Sequence, residues 1–164
     1  TKKEAVKLVK KVEEEPHDII VYFDGGYNVQ TKEAGIGVSM YYQKDGKTYR
    51  IRRNEQFAGI ENNNEAEYAA LLYAMQILEE LGVQYQKITL RGDSQVVLQQ
   101  ILGEWPCYEP NLNQYLDRIE EKSKELKLKL NCEPISRKNN KEAHQLATQA
   151  LEGVSIDSHA AVES

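Results

Sequence analysis

The sequence predicts a single α/β domain built on a mixed sheet, and three observations carry that prediction. Its 164 residues suffice for one sizeable core and little more. Three β-rich runs follow closely on one another, separated by turn-forming residues. Beyond residue 60 the pattern alternates between helix and strand, which calls for parallel pairing as well.

The elements follow in order. Residues 4–14 carry Ala5, Leu8, Val9 and Val12 on one helical face, with Lys7, Lys10 and Lys11 mostly elsewhere. With Glu13, Glu14 and Glu15 behind it, this segment reads as a solvated helix leading into Pro16. "DIIVYFDGG" (18–26) is a short apolar run, as expected of a strand buried on both faces. "AGIGVSMYYQ" (34–43), the turn Lys44-Asp45-Gly46 and "KTYRIRRNEQ" (47–56) add two antiparallel strands. Residues 64–81 form an amphipathic helix closed by Gly82. "QKITLRGD" (86–93) is a fourth strand, "SQVVLQQIL" (94–102) a short helix, and 111–127 a charge-rich one. "KLKLNCEPIS" (127–136) alternates as a strand does, and the last helix starts at Asn140.

Composition narrows the classes. Hydrophobic content of 40% with 29% charged residues suits a globular protein and is too apolar for a disordered one. No apolar run reaches the roughly 18–20 residues of a membrane span, and no signal-peptide pattern opens the chain. Cys107 and Cys132 lack CxxC spacing and suggest a reducing compartment, the cytoplasm. A net charge of −5 argues against coating nucleic acid by bulk electrostatics. It still admits a nucleic-acid enzyme whose carboxylates hold divalent cations.

Four positions break the packing rules. Asp24 lies in or at the end of the most apolar strand, before Gly25-Gly26. A carboxylate there costs several kcal/mol unless paired, hydrogen-bonded or bound to metal; an Asx turn ending the strand is the structural alternative. Glu67 sits in the first turn of the long helix, after the candidate caps Asn63 and Asn64. It shares the core face with Ala70, Leu71, Ala74 and Leu78, while neighbouring Glu65 reads as a dipole complement. Asp93 ends the fourth strand, where capping of the next helix would explain it. The carboxyl ends of strands are also where open α/β sheets place their sites. His144 shares a face with Ala147 and Leu151, where an apolar side chain is expected. Converging carboxylates repel strongly, and divalent cations are a common way to hold them.

"YFDGG", "NNNEAEYAALLYAM", "GDSQVVLQQILGEW" and "RKNNKEAHQLA" resemble, in order, the four motifs of type 1 ribonuclease H. These enzymes cut the RNA strand of an RNA–DNA hybrid. The likeness runs from about residue 18 to 151 and is nearest to the compact bacterial and archaeal members. It implies a ribonuclease H-like α/β fold: a five-stranded mixed sheet, its first three strands antiparallel, flanked by helices. The domain would span 18–152, with an N-terminal helical extension at 1–17, open to being the end of a longer segment, and a C-terminal tail at 153–164. The protein would act as a cytoplasmic monomer without membrane association.

The resemblance also implies roles. Asp24 matches the aspartate that bridges two metal ions, Mg²⁺ or Mn²⁺, both expected when substrate is bound. Glu67 and Asp93 match the carboxylates that complete the site on the leaving-group side. Gly25, Asn63, Asn64 and Gln95 match substrate-binding positions, the latter three contacting the RNA strand in the minor groove through shape and 2′-hydroxyls. His144 stands where the family has a fourth aspartate, since Arg137, Asn140 and Ala143 keep the motif's spacing. Glu142 is the nearest acid but lies on another helical face. A neutral imidazole brings no negative charge and suits Mn²⁺ better than Mg²⁺. Weaker metal binding, a Mn²⁺ preference and activity falling below about pH 6.5, where an ordinary imidazole protonates, are therefore expected.

A second departure is "GEWPCYEPNLNQYLDRIEEKSKEL" (103–126), where many relatives carry a basic segment gripping the DNA strand. Its balanced charge implies modest duplex affinity, and Lys138 and Lys141 read as solvated surface. A non-catalytic nucleic-acid-binding domain is the alternative function. A 3′–5′ exonuclease of related fold would need a glutamate at Gly26, and no GxSxG, P-loop or HExxH is present.

Overall fold

β1 (His17–Asn28), β2 (Glu33–Lys44) and β3 (Lys47–Ala58) form the expected antiparallel meander in the computed structural model, which describes residues 14–162. The amphipathic stretch 4–14 lies outside the described residues, apart from Glu14. α1 (Asn63–Leu81) follows, then β4 (Lys87–Gly92), α2 (Gln95–Ile101), α3 (Pro110–Glu125) and β5 (Lys129–Pro134). A single 3₁₀ turn, Arg137–Asn139, leads into α4 (Lys141–Leu151), and β6 (Asp157–Ala161) is the last element described.

The sheet order is β5-β4-β1-β2-β3-β6, with β1, β4 and β5 parallel and the other pairings antiparallel. The sheet therefore has six strands rather than the expected five. The sixth comes from residues read as a tail. Its segment, Asp157-Ser158-His159-Ala160-Ala161, is exposed throughout, so no alternation of apolar residues announces it. Pairing with β3 holds it, helped by Arg53 Nε on Asp157 at 3.1 Å and Tyr42 Oη with His159 Nε2 at 2.5 Å. No helix among the described residues is long and apolar enough to cross a membrane.

The two faces of the sheet are treated differently. Ile19, Val21 and Phe23 of β1 point into the main core, against Leu71, Met75 and Leu78 of α1. On the opposite face, α4 lies across β1 and β2 near the upper end of the sheet. It can do so because β2 offers glycine there: a Cβ on Gly37 would sit 2.4 Å from the Ala143 carbonyl oxygen. The small residues Ala143, Ala147 and Ala150 are the helix's side of this contact, and all are buried.

α1 starts one residue earlier than expected. Asn62, not Asn63 or Asn64, is its cap, accepting from the Glu65 amide at 2.9 Å. Glu65 answers by accepting from the Glu61 amide at 3.0 Å and from Tyr115 Oη of α3 at 3.0 Å. It is buried by this network and does more than complement the helix dipole.

Candidate active site

Strand register brings the first two carboxylates together. β1 and β4 run parallel with Tyr22 beside Arg91, and two residues further along each lie Asp24 and Asp93. Even spacing keeps Asp24 on the same face as Tyr22, just past the point where β1 and β4 stop pairing. Asp24 ends no strand: β1 pairs with β2 as far as Asn28, so the Asx-turn alternative does not apply. Nor does Asp93 cap α2. Ser94 does, its hydroxyl accepting from the Val97 amide at 3.4 Å.

Glu67 arrives from α1, and glycine lets it. A Cβ on Gly25 would lie 2.3 Å from the carbonyl carbon and oxygen of Ala66 and 2.6 Å from the Glu67 nitrogen. The first turn of α1 thus rests directly on the β1 backbone. This packing is a role for Gly25 that the motif alone did not reveal. It carries Glu67 to Asp24, and one oxygen each of Asp24, Glu67 and Asp93 lie within 4.8 Å of one another.

Such a cluster is electrostatically costly. Burial first, then the charge of Asp24, pushes the Glu67 carboxyl well above the ordinary range, with the Gly25 amide opposing. Burial and the Asp24 charge raise Asp93 as well, against Arg137, Asn140 and His144, which favour its ionised form. Asp24 and Glu67 are only 2% and 3% exposed. Glu67 Oε2 and Asp93 Oδ2 are buried with no hydrogen-bond partner among the described residues. Buried carboxylate oxygens without donors are costly unless a cation meets them. An all-oxygen set of this kind fits a hard divalent ion such as Mg²⁺ or Mn²⁺.

His144 stands at the border of the cluster. Its Nδ1 lies 2.9 Å from Asp24 Oδ2, and its side chain is 46% exposed. Because the carboxylate can only accept, Nδ1 is the nitrogen that donates. The Gly37 contact explains the placement, because Gly37 is paired with Asp24 in the sheet. Glu142 faces away, accepting from Ser39 Oγ at 2.6 Å and Tyr41 Oη at 2.7 Å.

Asn140 is the residue sequence reasoning undervalued. It precedes α4 but makes no side-chain cap. Its amide instead donates to the Phe23 carbonyl at 3.0 Å, pinning the helix start to β1 beside Asp24. At 1% exposed it is far more buried than a cap residue needs to be, and local spacing gives no sign of that. Arg137 Nε lies 3.9 Å from Asp93 Oδ2 at the rim. Asn63 and Gln95 are exposed at the first residues of α1 and α2, and Asn64 is half-buried beside Asn63. Within 103–126, Lys122 is engaged by Glu79 at 2.5 Å and Glu125 at 2.9 Å.

A mixed sheet with α1 and α4 on opposite faces, and an acidic cluster just past the paired stretch of β1 and β4, defines a ribonuclease H-like domain. Comparison with known proteins agrees. A family profile described as "Reverse transcriptase-like" matches residues 22–150. The uncharacterized protein YpeP of Bacillus subtilis (strain 168) is 45% identical over 159 residues, 97% of this chain and 70% of that protein. Ribonuclease HI of Halobacterium salinarum is 31% identical over 134 residues, 80% of this chain and 63% of the enzyme. The crystal structure of RNase H1 from that halophilic archaeon has a TM-score of 0.72 at 29% identity, covering 83% of this chain and 98% of that one. LC11-RNase H1 in complex with an RNA/DNA hybrid gives a TM-score of 0.71 at 28% identity, with 83% and 98% coverage. The chain belongs to the type 1 ribonuclease H family.

Proposed function

We propose that this chain hydrolyses the RNA strand of RNA–DNA hybrids with two divalent cations, favouring Mn²⁺ over Mg²⁺. One observation carries the reading: Asp24, Glu67 and Asp93 converge, leaving one oxygen each of Glu67 and Asp93 buried without a hydrogen-bond partner among the described residues. Asp24, Glu67 and Asp93 would hold the cations, with His144 as the fourth member of the site. Bound cations there supply Lewis-acid chemistry for in-line displacement at a phosphodiester. The chain's own residues fix that geometry. Gly25 and Gly37 seat α1 and α4 so that Glu67 and His144 meet Asp24. Asn63, Asn64 and Gln95, at the first turns of α1 and α2, suit contacts to an RNA strand read through its 2′-hydroxyls. The Mn²⁺ preference follows from an imidazole where a fourth carboxylate would add charge. Two free cysteines accord with a cytoplasmic location, and a monomer is the expected state.

The test is cleavage of an end-labelled hybrid, first with Mg²⁺ and then with Mn²⁺. We expect faster cutting with Mn²⁺, and a gain of Mg²⁺-dependent cutting in His144→Asp. A folded protein that cuts with neither metal refutes the enzyme reading. One observation favours a second reading, a nucleic-acid-binding domain without turnover. The His144 hydrogen bond already engages Asp24 Oδ2, one of the two oxygens Asp24 can offer a metal. Hybrid binding without cleavage in both metals would establish that reading.

A further inference from the structure

α4 covers only the upper part of its face of the sheet, over Gly35 and Gly37. Below it, Tyr22 of β1 and Tyr41 of β2 line a concavity of about 360 Å³, closed on one side by Lys138, Asn139, Lys141 and Glu142. The two rings meet edge to face, with centroids 6.1 Å apart. Both tyrosines are only half-buried, although they lie on the sheet. Three cations from neighbouring strands surround them. Arg91 donates to Tyr22 Oη at 2.7 Å, while Arg50 and Arg52 of β3 reach Glu142 at 3.9 and 3.6 Å. Glu142 and Glu133 are the carboxylates opposing these arginines and the two lysines. Glu142 is also shared with Ser39 and Tyr41, and Arg52 Nε remains buried without a hydrogen-bond partner among the described residues. Lys138 and Lys141 are exposed and in no ion pair among the described residues.

We propose that this face binds single-stranded nucleic acid, a strand continuing beyond the hybrid held at the carboxylate cluster. Charge complementarity argues for the occupant: the patch is cationic in a chain whose net charge is −5. Aromatic rings interleaved with arginine and lysine form a combination that tracks a phosphate backbone and stacks bases without reading sequence. Position argues for it too. Tyr22 lies two residues before Asp24 on the same strand face, so a strand leaving the catalytic centre runs directly onto the patch. The choice of occupant rests on the nuclease reading, whereas binding to the face does not require turnover.

The experiment is a fluorescence-anisotropy titration of a labelled thymidine 12-mer at several salt concentrations in EDTA. Without cations the carboxylate cluster repels DNA, so the titration reads the face alone. Wild-type protein should bind, and Lys138→Gln/Lys141→Gln should bind about tenfold more weakly. Its log–log salt slope should be smaller by about 1.4, at roughly 0.7 for each phosphate that loses its lysine. Lys124→Gln/Lys127→Gln, matched in charge and lying at and just past the end of α3, which packs on α1 across the sheet from the patch, should bind as wild type. No binding by wild type, or equal losses in both double variants, overturns the proposal. So does equal affinity for a labelled polyglutamate of the same length, which would make the patch a site for acidic peptides. Blunt-hybrid cleavage by Lys138→Gln/Lys141→Gln, measured separately, should match wild type. Loss of all cleavage by wild type would strike the nuclease reading while leaving the titration intact.

Discussion

Replacing Glu67 by glutamine should make the metal-free protein more stable while impairing its response to metal. Glu67 lies within 4.8 Å of both Asp24 and Asp93 through single oxygens. Two unit charges at that distance repel by about 3.5 kcal/mol at an effective dielectric near 20. Proton uptake by Glu67 and the Gly25 amide already offset part of this, so the net gain should be about 2–3 kcal/mol at pH 8. For a chain of this size that is a rise of about 5–10 °C in Tm. The sign with pH follows from the raised Glu67 pKa. Below the ordinary carboxylate range Glu67 is protonated, folded or unfolded, and the variant gains nothing from charge. As pH rises, the unfolded chain releases its proton first, and the wild type loses stability until the folded Glu67 also ionises. The advantage of Glu67→Gln should therefore be small at pH 4 and grow toward pH 8. Circular-dichroism melting in EDTA reads this directly. Adding Mn²⁺ should raise the wild-type Tm by mass action and the variant's by less. Equal or lower stability of the variant at pH 8 in EDTA would refute the account of the cluster.

Three other substitutions probe the same construction. Gly25→Ala needs a shift of about 1.1 Å to move its Cβ from 2.3 Å to ordinary contact at 3.4 Å. It should cost about 1–3 kcal/mol in urea unfolding and weaken Mn²⁺ binding by calorimetry, because the helix that moves carries Glu67. His144→Asp places a further carboxylate beside Asp24 and should lower the Tm in EDTA at pH 8, opposite in sign to Glu67→Gln. Asn54→Ala removes three hydrogen bonds, to the carbonyls of Leu146 and Val154 and from the Ile156 amide. Urea unfolding should show a loss of about 2–4 kcal/mol, with the metal response retained in the folded fraction.

The sequence points to the residues of the candidate site more clearly than to its construction. Asp24, Glu67 and Asp93 can be singled out because each sets a charge where packing wants none, and the structure joins all three. His144 betrays itself in the same way, by sitting among the small residues of α4, and it meets Asp24. The scaffolding around them is harder to see. Gly25 and Gly37 act through backbone contacts with helices distant in sequence, which local spacing cannot express. Asn140 resembles any helix cap until its burial and its bond to Phe23 are known. Asn62 hides among its neighbours because helix starts shift by a residue without altering the pattern. β6 leaves no trace because an exposed edge strand need not alternate.

β6 also bears on how the molecule behaves in a crowd. Twelve residues of β3 pair with β2, and without β6 the strand's other edge would stand open along its whole length. A long unpaired edge is a template for joining another chain, the first step toward aggregation. Five residues of β6 cover Tyr49–Arg53, the stretch that holds the buried Ile51. The new outer edge is short and carries Asp157, Ser158 and His159, which make it a poor template. β6 thus guards the sheet against strand addition by another chain, a task independent of whether the carboxylates ever meet a hybrid.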